Sequence, residues 1–128
     1  MSKANPADRK YAKEHTWALD NKEGLATVGI TDYAQEQLTD IVYVELPEIG
    51  KKVKQWETLA VLESVKSVSD VYTPLSGEVI EVNRTLDDQP DLINQDPFGK
   101  GWIVRLKMDD VSELGTLMDA VTYDAFVA

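Results

Sequence analysis

The chain has no cysteine and only one histidine, His15, among its 128 residues. The lack of thiols excludes disulfides and thiolate metal sites. A single histidine disfavours a His-rich metal site and a Ser-His-Asp triad. The sequence also lacks a Gly-rich phosphate loop, which counts further against an independent enzyme. Any thiol or disulfide chemistry would have to arrive on a cofactor, and we expect neither catalytic residues nor a metal site.

Basic charge and long hydrophobic runs are also scarce. The chain has 13 basic and 23 acidic residues, for a formal net charge of -10, so it should repel nucleic acid and anionic membranes. No stretch approaches the length of a membrane span. Residues 1–6 lack the apolar core of a secretory signal and the Arg-rich character of a transit peptide. We therefore expect a cytoplasmic, bacterial protein that binds neither nucleic acid nor membrane.

Short β-strands separated by glycine and proline dominate the pattern. With 43% hydrophobic residues, residues 1–128 can form one domain with a real core, and residues 1–10 are expected to be loose. A hairpin is predicted first, followed by strands rich in β-branched and aromatic residues. The predicted strands cover residues 16–19, 25–30, 41–46, 58–62, 78–82 and 102–108.

Helices are predicted mainly at the C-terminal end. Thr31 or Asp32 can cap a short helix over residues 33–38, and residues 84–100 read as a long loop. Residues 112–127 change to helical spacing, which predicts two short helices, the first capped by Ser112. The fold class is therefore mainly β, a small barrel or flattened sandwich with short flanking and C-terminal helices.

Lys66 lies between two strand candidates, where a hairpin tip is expected. Its neighbours Ser64, Ser67 and Ser69 are small and leave the amine accessible. A flexible lysine at the end of a rigid barrel suits covalent attachment of a carrier group, because the tethered group can then reach several active sites. From spacing alone the signal is weak, and an ordinary solvated lysine on a turn is the favoured explanation.

A family resemblance indicates a specific role for Lys66. The segment Glu63–Asp70, Glu-Ser-Val-Lys-Ser-Val-Ser-Asp, closely resembles the lipoylation segment of the glycine cleavage H-protein family, in which the lysine follows Glu-Ser-Val. The similarity continues in order along nearly the whole chain. The other matching blocks are Tyr11, His15–Trp17, Val28–Thr31, Ala34–Gln35, Val44–Pro47, Ser76–Val79, Asn83, Leu92–Asn94, Asp96–Pro97 and Gly101–Trp102.

This resemblance implies a barrel-sandwich hybrid of the lipoyl/biotinyl type, with lipoic acid attached covalently to Lys66. It implies a non-catalytic carrier that moves the aminomethyl group of glycine and reducing equivalents. The implied partners are a pyridoxal-phosphate glycine decarboxylase, a tetrahydrofolate-dependent aminomethyltransferase, a dihydrolipoyl dehydrogenase and lipoylating enzymes. An H-like relay that supplies lipoyl groups to other enzymes is the alternative. Biotinyl and dehydrogenase lipoyl domains fit less well, because Val65 precedes the lysine.

The chain departs from the family pattern at two positions. Thr16 stands where the family commonly has an acid, and Thr39 stands where it usually has glycine. In the family, groups near the first of these positions help line a cleft that shelters the loaded arm. A carboxylate there would pair with a protonated amine, whereas Thr16 offers a neutral hydroxyl. Glu14 or Asp70 could compensate.

Several other residues have an ordinary structural interpretation. His15 could line the cleft or donate a proton, but a histidine with satisfied hydrogen bonds at a strand start is favoured. The three tryptophans, Trp17, Trp56 and Trp102, are interpreted as core residues. The acidic residues of the long loop lack the spacing of a calcium site. The lysines of residues 51–54 are interpreted as a solvated strand edge.

Overall fold

The computed structural model describes residues 4–128 and contains two antiparallel sheets. One sheet has six strands in the order β1-β2-β3-β9-β8-β5, and the other has three in the order β4-β6-β7. Buried aliphatic side chains from both sheets form one core cluster between them. The strands are β1 Lys10–Tyr11, β2 Thr16–Lys22, β3 Leu25–Ile30, β4 Ile41–Glu45, β5 Lys52–Val53, β6 Thr58–Ser64, β7 Val68–Tyr72, β8 Gly77–Val82 and β9 Val104–Met108.

Short helices cover the ends of this two-sheet core. They are α1 Asp32–Leu38, α2 Thr85–Asp88, α3 Leu92–Gln95, a 3-10 helix Val111–Thr116, and α4 Ala120–Val127. Thr31 is the N-cap of α1, where its hydroxyl accepts the Ala34 N–H. None of the helices in residues 4–128 combines the length and apolarity needed to span a bilayer. The predicted fold class, mainly β with two sheets and short helices, is confirmed.

The long loop predicted over residues 84–100 contains two single-turn helices, so that part of the prediction is wrong. Neither α2 nor α3 has a side-chain cap that marks its start. Leu86 and Ile93 are both 0% exposed and belong to the core. Burial of these two side chains holds the helices in place, and such tertiary stabilisation leaves little periodic signal in so short a segment.

The prediction for the C-terminal tail is half right. The second helix is α4, but the first is a 3-10 helix and Ser112 does not cap it. Asp110 is the cap, and its carboxylate accepts both the backbone N–H and the hydroxyl of Ser112. A carboxylate can accept more hydrogen bonds than a hydroxyl. Asp110 therefore caps the helix instead of Ser112, and the helix begins earlier than predicted, at Val111.

The N-terminal segment already makes defined contacts at residues 9 and 10, within the part that was expected to be loose. Lys10 pairs with Ala18 in β1–β2. The Arg9 guanidinium lies 4.5 Å from the Trp17 ring centroid and donates to the Phe98 carbonyl. Residues 1–3, which also belong to the segment expected to be loose, lie outside the described residues. The structured chain therefore begins before β1.

A second, aromatic cluster joins β1 and β2 to the C-terminal helix. Tyr11, Trp17 and Tyr123 are at most 1% exposed, and the Tyr11 and Tyr123 rings stack at 4.9 Å. Gly29 makes room for Trp17, because a Cβ at this position would lie 2.6 Å from the indole. This cluster fixes α4 against the sheet edge, next to the start of β2.

Candidate functional site

Lys66 lies at the exposed tip of the β6–β7 hairpin. The strands pair Leu62 with Ser69 and Glu63 with Val68, which leaves a three-residue tip, Val65–Ser67. All three tip residues are exposed. The β7 strand is at the edge of its sheet, so one side of the hairpin is open to an approaching macromolecule. Lys66 therefore lies at a hairpin tip, as predicted.

Ser64 organises the tip. Its hydroxyl oxygen accepts the N–H of Ser67 at 3.1 Å and that of Lys66 at 3.3 Å. The Ser64 N–H donates to the Ser67 carbonyl at 2.8 Å and closes the turn. These bonds fix the backbone under Lys66, while the lysine side chain keeps its freedom.

A neighbouring loop supports the tip from the side. The Val65 N–H donates to the Asp40 carbonyl. Asn94 on α3 fixes that loop, because its amide donates to the Thr39 carbonyl and its oxygen accepts the Ile41 N–H. Thr39 has φ +63° and ψ −148°, a conformation that is strained for a residue with a Cβ.

Sequence reasoning missed the supporting role of Asn94 and Asp40. Asn94 was noted only as part of a family block, and its bonds reach residues more than fifty positions away. A signal existed at Thr39, where the family usually has glycine. A glycine at that position indicates a positive φ, and hence a sharp turn next to the lysine hairpin.

Lys66 makes no ion pair with any carboxylate among residues 4–128. Glu63 and Asp70 lie on the two strands below the tip, where their partners across the hairpin are Val68 and Val61. The flanking tip residues, Val65 and Ser67, are uncharged and exposed, as is Lys66 itself.

A cleft of about 260 Å³ opens beside the hairpin. Its walls come from the turn before β2, from α1 and from the inner side of the β6–β7 hairpin. Leu62 in the cleft wall lies two strand residues, about 7 Å, from Ser64 at the base of the tip. The lining residues are Glu14, His15, Thr16, Ile30, Tyr33, Ala34, Gln37, Leu38, Leu62, Ser69, Asp70 and Val71.

The polar groups of the cleft are acidic or neutral. Glu14 and Asp70 supply carboxylates, and no lysine or arginine lines the cleft. Thr16 is 1% exposed, and its hydroxyl has no hydrogen-bond partner within residues 4–128. A buried hydroxyl without a partner is costly. Thr16 is one of the lining residues of the cleft, but its hydroxyl itself is buried behind that lining.

His15 lies at the rim of this cleft, next to the start of β2. Its Nδ1 is 2.8 Å from the Tyr123 hydroxyl, and its ring lies 4.6 Å from that of Tyr33. Burial lowers the pKa of His15, and the nearby Glu14 carboxylate opposes that shift. Burial also raises the pKa of Tyr123 to about 12. At neutral pH the pair is therefore an uncharged imidazole and an uncharged phenol.

The remaining candidates lie elsewhere. Trp17 is buried, but Trp56 is 44% exposed, so its assignment to the core is wrong. Trp56 has φ +77°, and its N–H donates to the Thr73 carbonyl in the turn before β6. Trp102 is half-buried under the Arg105 guanidinium. The strand at Lys52 is an edge strand, β5. Among residues 4–128, no cluster of acids and histidine is arranged to hold a metal ion.

An accessible lysine at a hairpin tip of a two-sheet barrel sandwich, beside a sheltering cleft, is the arrangement of a swinging-arm carrier protein. Comparison with known proteins agrees. The sequence profile described as Glycine cleavage H-protein matches residues 9–128. The chain therefore belongs to the glycine cleavage H-protein family. Members of this family are non-catalytic lipoyl carriers of the glycine cleavage system, and this is the role of the chain.

Individual relatives cover almost the whole chain. The glycine cleavage system H protein of Symbiobacterium thermophilum is 54% identical over 121 residues, which is 94% of each chain. The H protein of Idiomarina loihiensis is 52% identical over 95% of each chain. The crystal structure of the H protein from Mycobacterium marinum superposes with a TM-score of 0.86 at 37% identity, covering 94% of this chain and 97% of that one.

Proposed function

We propose that lipoic acid is attached through an amide to Nζ of Lys66, and that residues 1–128 act as one lipoyl-carrier domain. The observation that carries this proposal is the free, exposed Lys66 at a tip organised by Ser64. When bound, the lipoyl group supplies a disulfide that accepts an aminomethyl group and a pair of electrons. The protein supplies a rigid base, an unpaired attachment amine and a cleft.

The loaded arm rests in the cleft beside the hairpin. The residues present fit such an arm, because its apolar stem can lie against the half-buried Tyr33, Ala34 and Leu38. A protonated amine at its end meets an acidic site, since Glu14 and Asp70 are the charged residues of the lining. Although Thr16 stands where the family commonly has an acid, these two carboxylates still leave a site suited to a cation.

The partners in this proposal are four classes of enzyme. A pyridoxal-phosphate glycine decarboxylase loads the arm, and a tetrahydrofolate-dependent aminomethyltransferase unloads it. A dihydrolipoyl dehydrogenase reoxidises it, and a lipoylating enzyme attaches it. A bacterial cytoplasm is the proposed compartment, because the relatives reported above are bacterial.

Intact mass of the protein co-expressed with a lipoylating enzyme tests the attachment site. We expect the wild-type protein to gain one lipoyl mass and Lys66→Arg to gain none, because an arginine keeps the charge but is not acylated. Lys22→Arg is the matched control, since Lys22 is also an exposed lysine at a hairpin tip. Lipoyl mass on the Lys66→Arg protein would overturn the assignment.

Reconstitution tests the carrier role. The lipoylated protein, glycine and the three partner enzymes should produce ammonia and NADH, and the Lys66→Arg protein should produce neither. A lipoylated protein that is silent with active partners, but that donates its lipoyl group to other carriers, would indicate the relay function instead.

A further inference from the structure

We propose that Tyr123, on the C-terminal helix, is a positioning residue that holds His15 at the cleft as a neutral imidazole with its hydrogen on Nε2. Three side chains, those of Thr31, Tyr123 and His15, form a continuous series of hydrogen bonds. Thr31 Oγ1 lies 2.8 Å from the Tyr123 hydroxyl, which lies 2.8 Å from His15 Nδ1. These distances do not by themselves show which atom donates in each bond.

The N-cap of α1 decides the direction. Thr31 Oγ1 already accepts the Ala34 N–H, and Thr31 is 0% exposed. If Tyr123 also donated to Thr31, the hydroxyl hydrogen of Thr31 would be buried without an acceptor. If Thr31 donates to Tyr123, and Tyr123 donates to His15 Nδ1, both hydroxyl hydrogens have an acceptor. Because buried polar groups are almost always satisfied, the second arrangement is the one the fold selects.

This direction fixes the form of His15. A nitrogen that accepts a hydrogen bond carries no hydrogen, so Nδ1 is unprotonated and the hydrogen of the neutral ring is on Nε2. If Nδ1 carried a hydrogen, this N–H and the Tyr123 O–H would be two donors facing each other, and the hydrogen bond from Tyr123 would be lost. The backbone allows little rearrangement, because the His15 N–H bonds to the Ala12 carbonyl and the His15 carbonyl accepts the Thr31 N–H.

The neutral form matters because of what else faces the ring. The titratable groups around His15 are Glu14, Tyr33 and Tyr123, with Asp70 across the cleft. An uncharged His15 leaves the two carboxylates as the charges of the cleft, whereas a protonated one would offset them. Nε2–H has no partner within residues 4–128 and can donate to an acceptor on the arm. This consequence rests on the proposed function; the tautomer itself does not.

Nuclear magnetic resonance of the imidazole nitrogens in the unlipoylated, nitrogen-15-labelled protein tests the proposal. The chain has one histidine, so its ring signals need no assignment against others. In the wild-type protein at neutral pH we expect an unprotonated Nδ1 and a protonated Nε2. A protonated Nδ1, or two nitrogens with averaged shifts, would overturn the proposal without any variant being made.

Two matched variants then isolate the hydroxyl. Tyr123→Phe should mix the two tautomers and raise the pKa of His15, since the donor to Nδ1 is lost. Tyr11→Phe removes a phenol of equal burial that stacks on Tyr123 but bonds to the Pro6 carbonyl, and it should leave the spectrum unchanged. An unchanged spectrum in Tyr123→Phe, or the same change in both variants, would contradict the positioning role.

The lifetime of the aminomethyl group on the lipoyl arm can be measured separately. On lipoylated protein loaded with the aminomethyl group, loss of the load over time is followed by intact mass. Tyr123→Phe should lose it several-fold faster than Tyr11→Phe or the wild-type protein. Equal rates with an altered tautomer would show that His15 does not act on the arm. Absence of lipoylation would count against the proposed function and leave the tautomer result standing.

Discussion

The protein presents two hairpins with an exposed lysine near the tip, and they differ in everything around that lysine. In the β2–β3 hairpin, Lys22 at φ +72° lies 3.9 Å from the Asp20 carboxylate. This hairpin is inside the six-stranded sheet, between β1 and β9. In the β6–β7 hairpin, Lys66 has no ion pair among the described residues, one strand is a free edge, and a cleft opens below it.

The difference shows that exposure alone does not make a lysine an attachment site. Both lysines are exposed, but Lys22 is paired with the Asp20 carboxylate. Lys66 combines a braced backbone with an unpaired amine and a nearby cleft. Four predictions test the contrast between the two hairpins and their surroundings, in order of decreasing expected effect.

Asn94→Ala should destabilise the protein by about 2 kcal/mol, because it leaves the Thr39 carbonyl and the Ile41 N–H without their partner. Asn21→Ala, at the other hairpin, removes one bond from the Thr27 hydroxyl and should cost less than about 1 kcal/mol. Urea denaturation measures both. We also expect slower lipoylation of the Asn94→Ala protein. An equal loss of unfolding free energy in the two variants would show that the β6–β7 hairpin is supported no more strongly than the β2–β3 hairpin.

Thr16→Val should stabilise the unloaded protein by about 1 kcal/mol, since it removes a buried hydroxyl that has no partner. Thr27→Val is the matched control in the same hairpin. It should destabilise the protein by a similar amount, because the Thr27 hydroxyl donates to Asn21. Opposite signs in thermal unfolding are the expected result. A loss of stability in Thr16→Val would mean that the hydroxyl is already satisfied.

The pH dependence of stability should carry a contribution from His15. Its pKa in the folded protein is below the ordinary value of 6.5, so the unfolded chain binds the proton more readily. This contribution to stability is fully present above pH 6.5 and is lost as the pH falls toward the folded pKa. Urea midpoints across this range should fall less steeply for His15→Gln.

Carboxylates act in a separate, more acidic range and serve as the internal control for that titration. The hydrogen bond from Arg9 holds the pKa of Asp8 below 3.8, so the stability that Asp8 contributes is lost only below that pH. An unchanged slope in His15→Gln above this range would show that His15 is not perturbed by burial.

Ser64→Ala and Asp20→Ala compare the two tips directly. Each side chain accepts a backbone N–H of its own tip lysine, Ser64 from Lys66 and Asp20 from Lys22. Each substitution should cost about 0.5 kcal/mol, as expected for exposed hydrogen bonds. Only Ser64→Ala should lower the initial rate of lipoylation, measured by intact mass. A similar slowing in both would break the contrast between the hairpins.

Much of the fold was predictable because the strands have strong local signals. The first hairpin and the strands beginning at Ile41 and Thr58 were predicted within a few residues of their bounds, since β-branched runs between turn residues are characteristic of strands. The failures concern features that depend on the rest of the fold. The helices at Leu86 and Ile93 form because the core buries one side chain from each, whereas Trp56 lies exposed in a turn with positive φ.

The sequence by itself determined where the candidate attachment residue lies. The position of Lys66 between two strand candidates predicted a turn, and the resemblance to the H-protein family identified it as the attachment residue. Only the tertiary structure decided what lies beside the lysine. The cleft and the Tyr123–His15 contact join residues 108 positions apart. Such contacts depend on how separate elements pack, and pairwise distances of that kind leave no pattern in a single sequence.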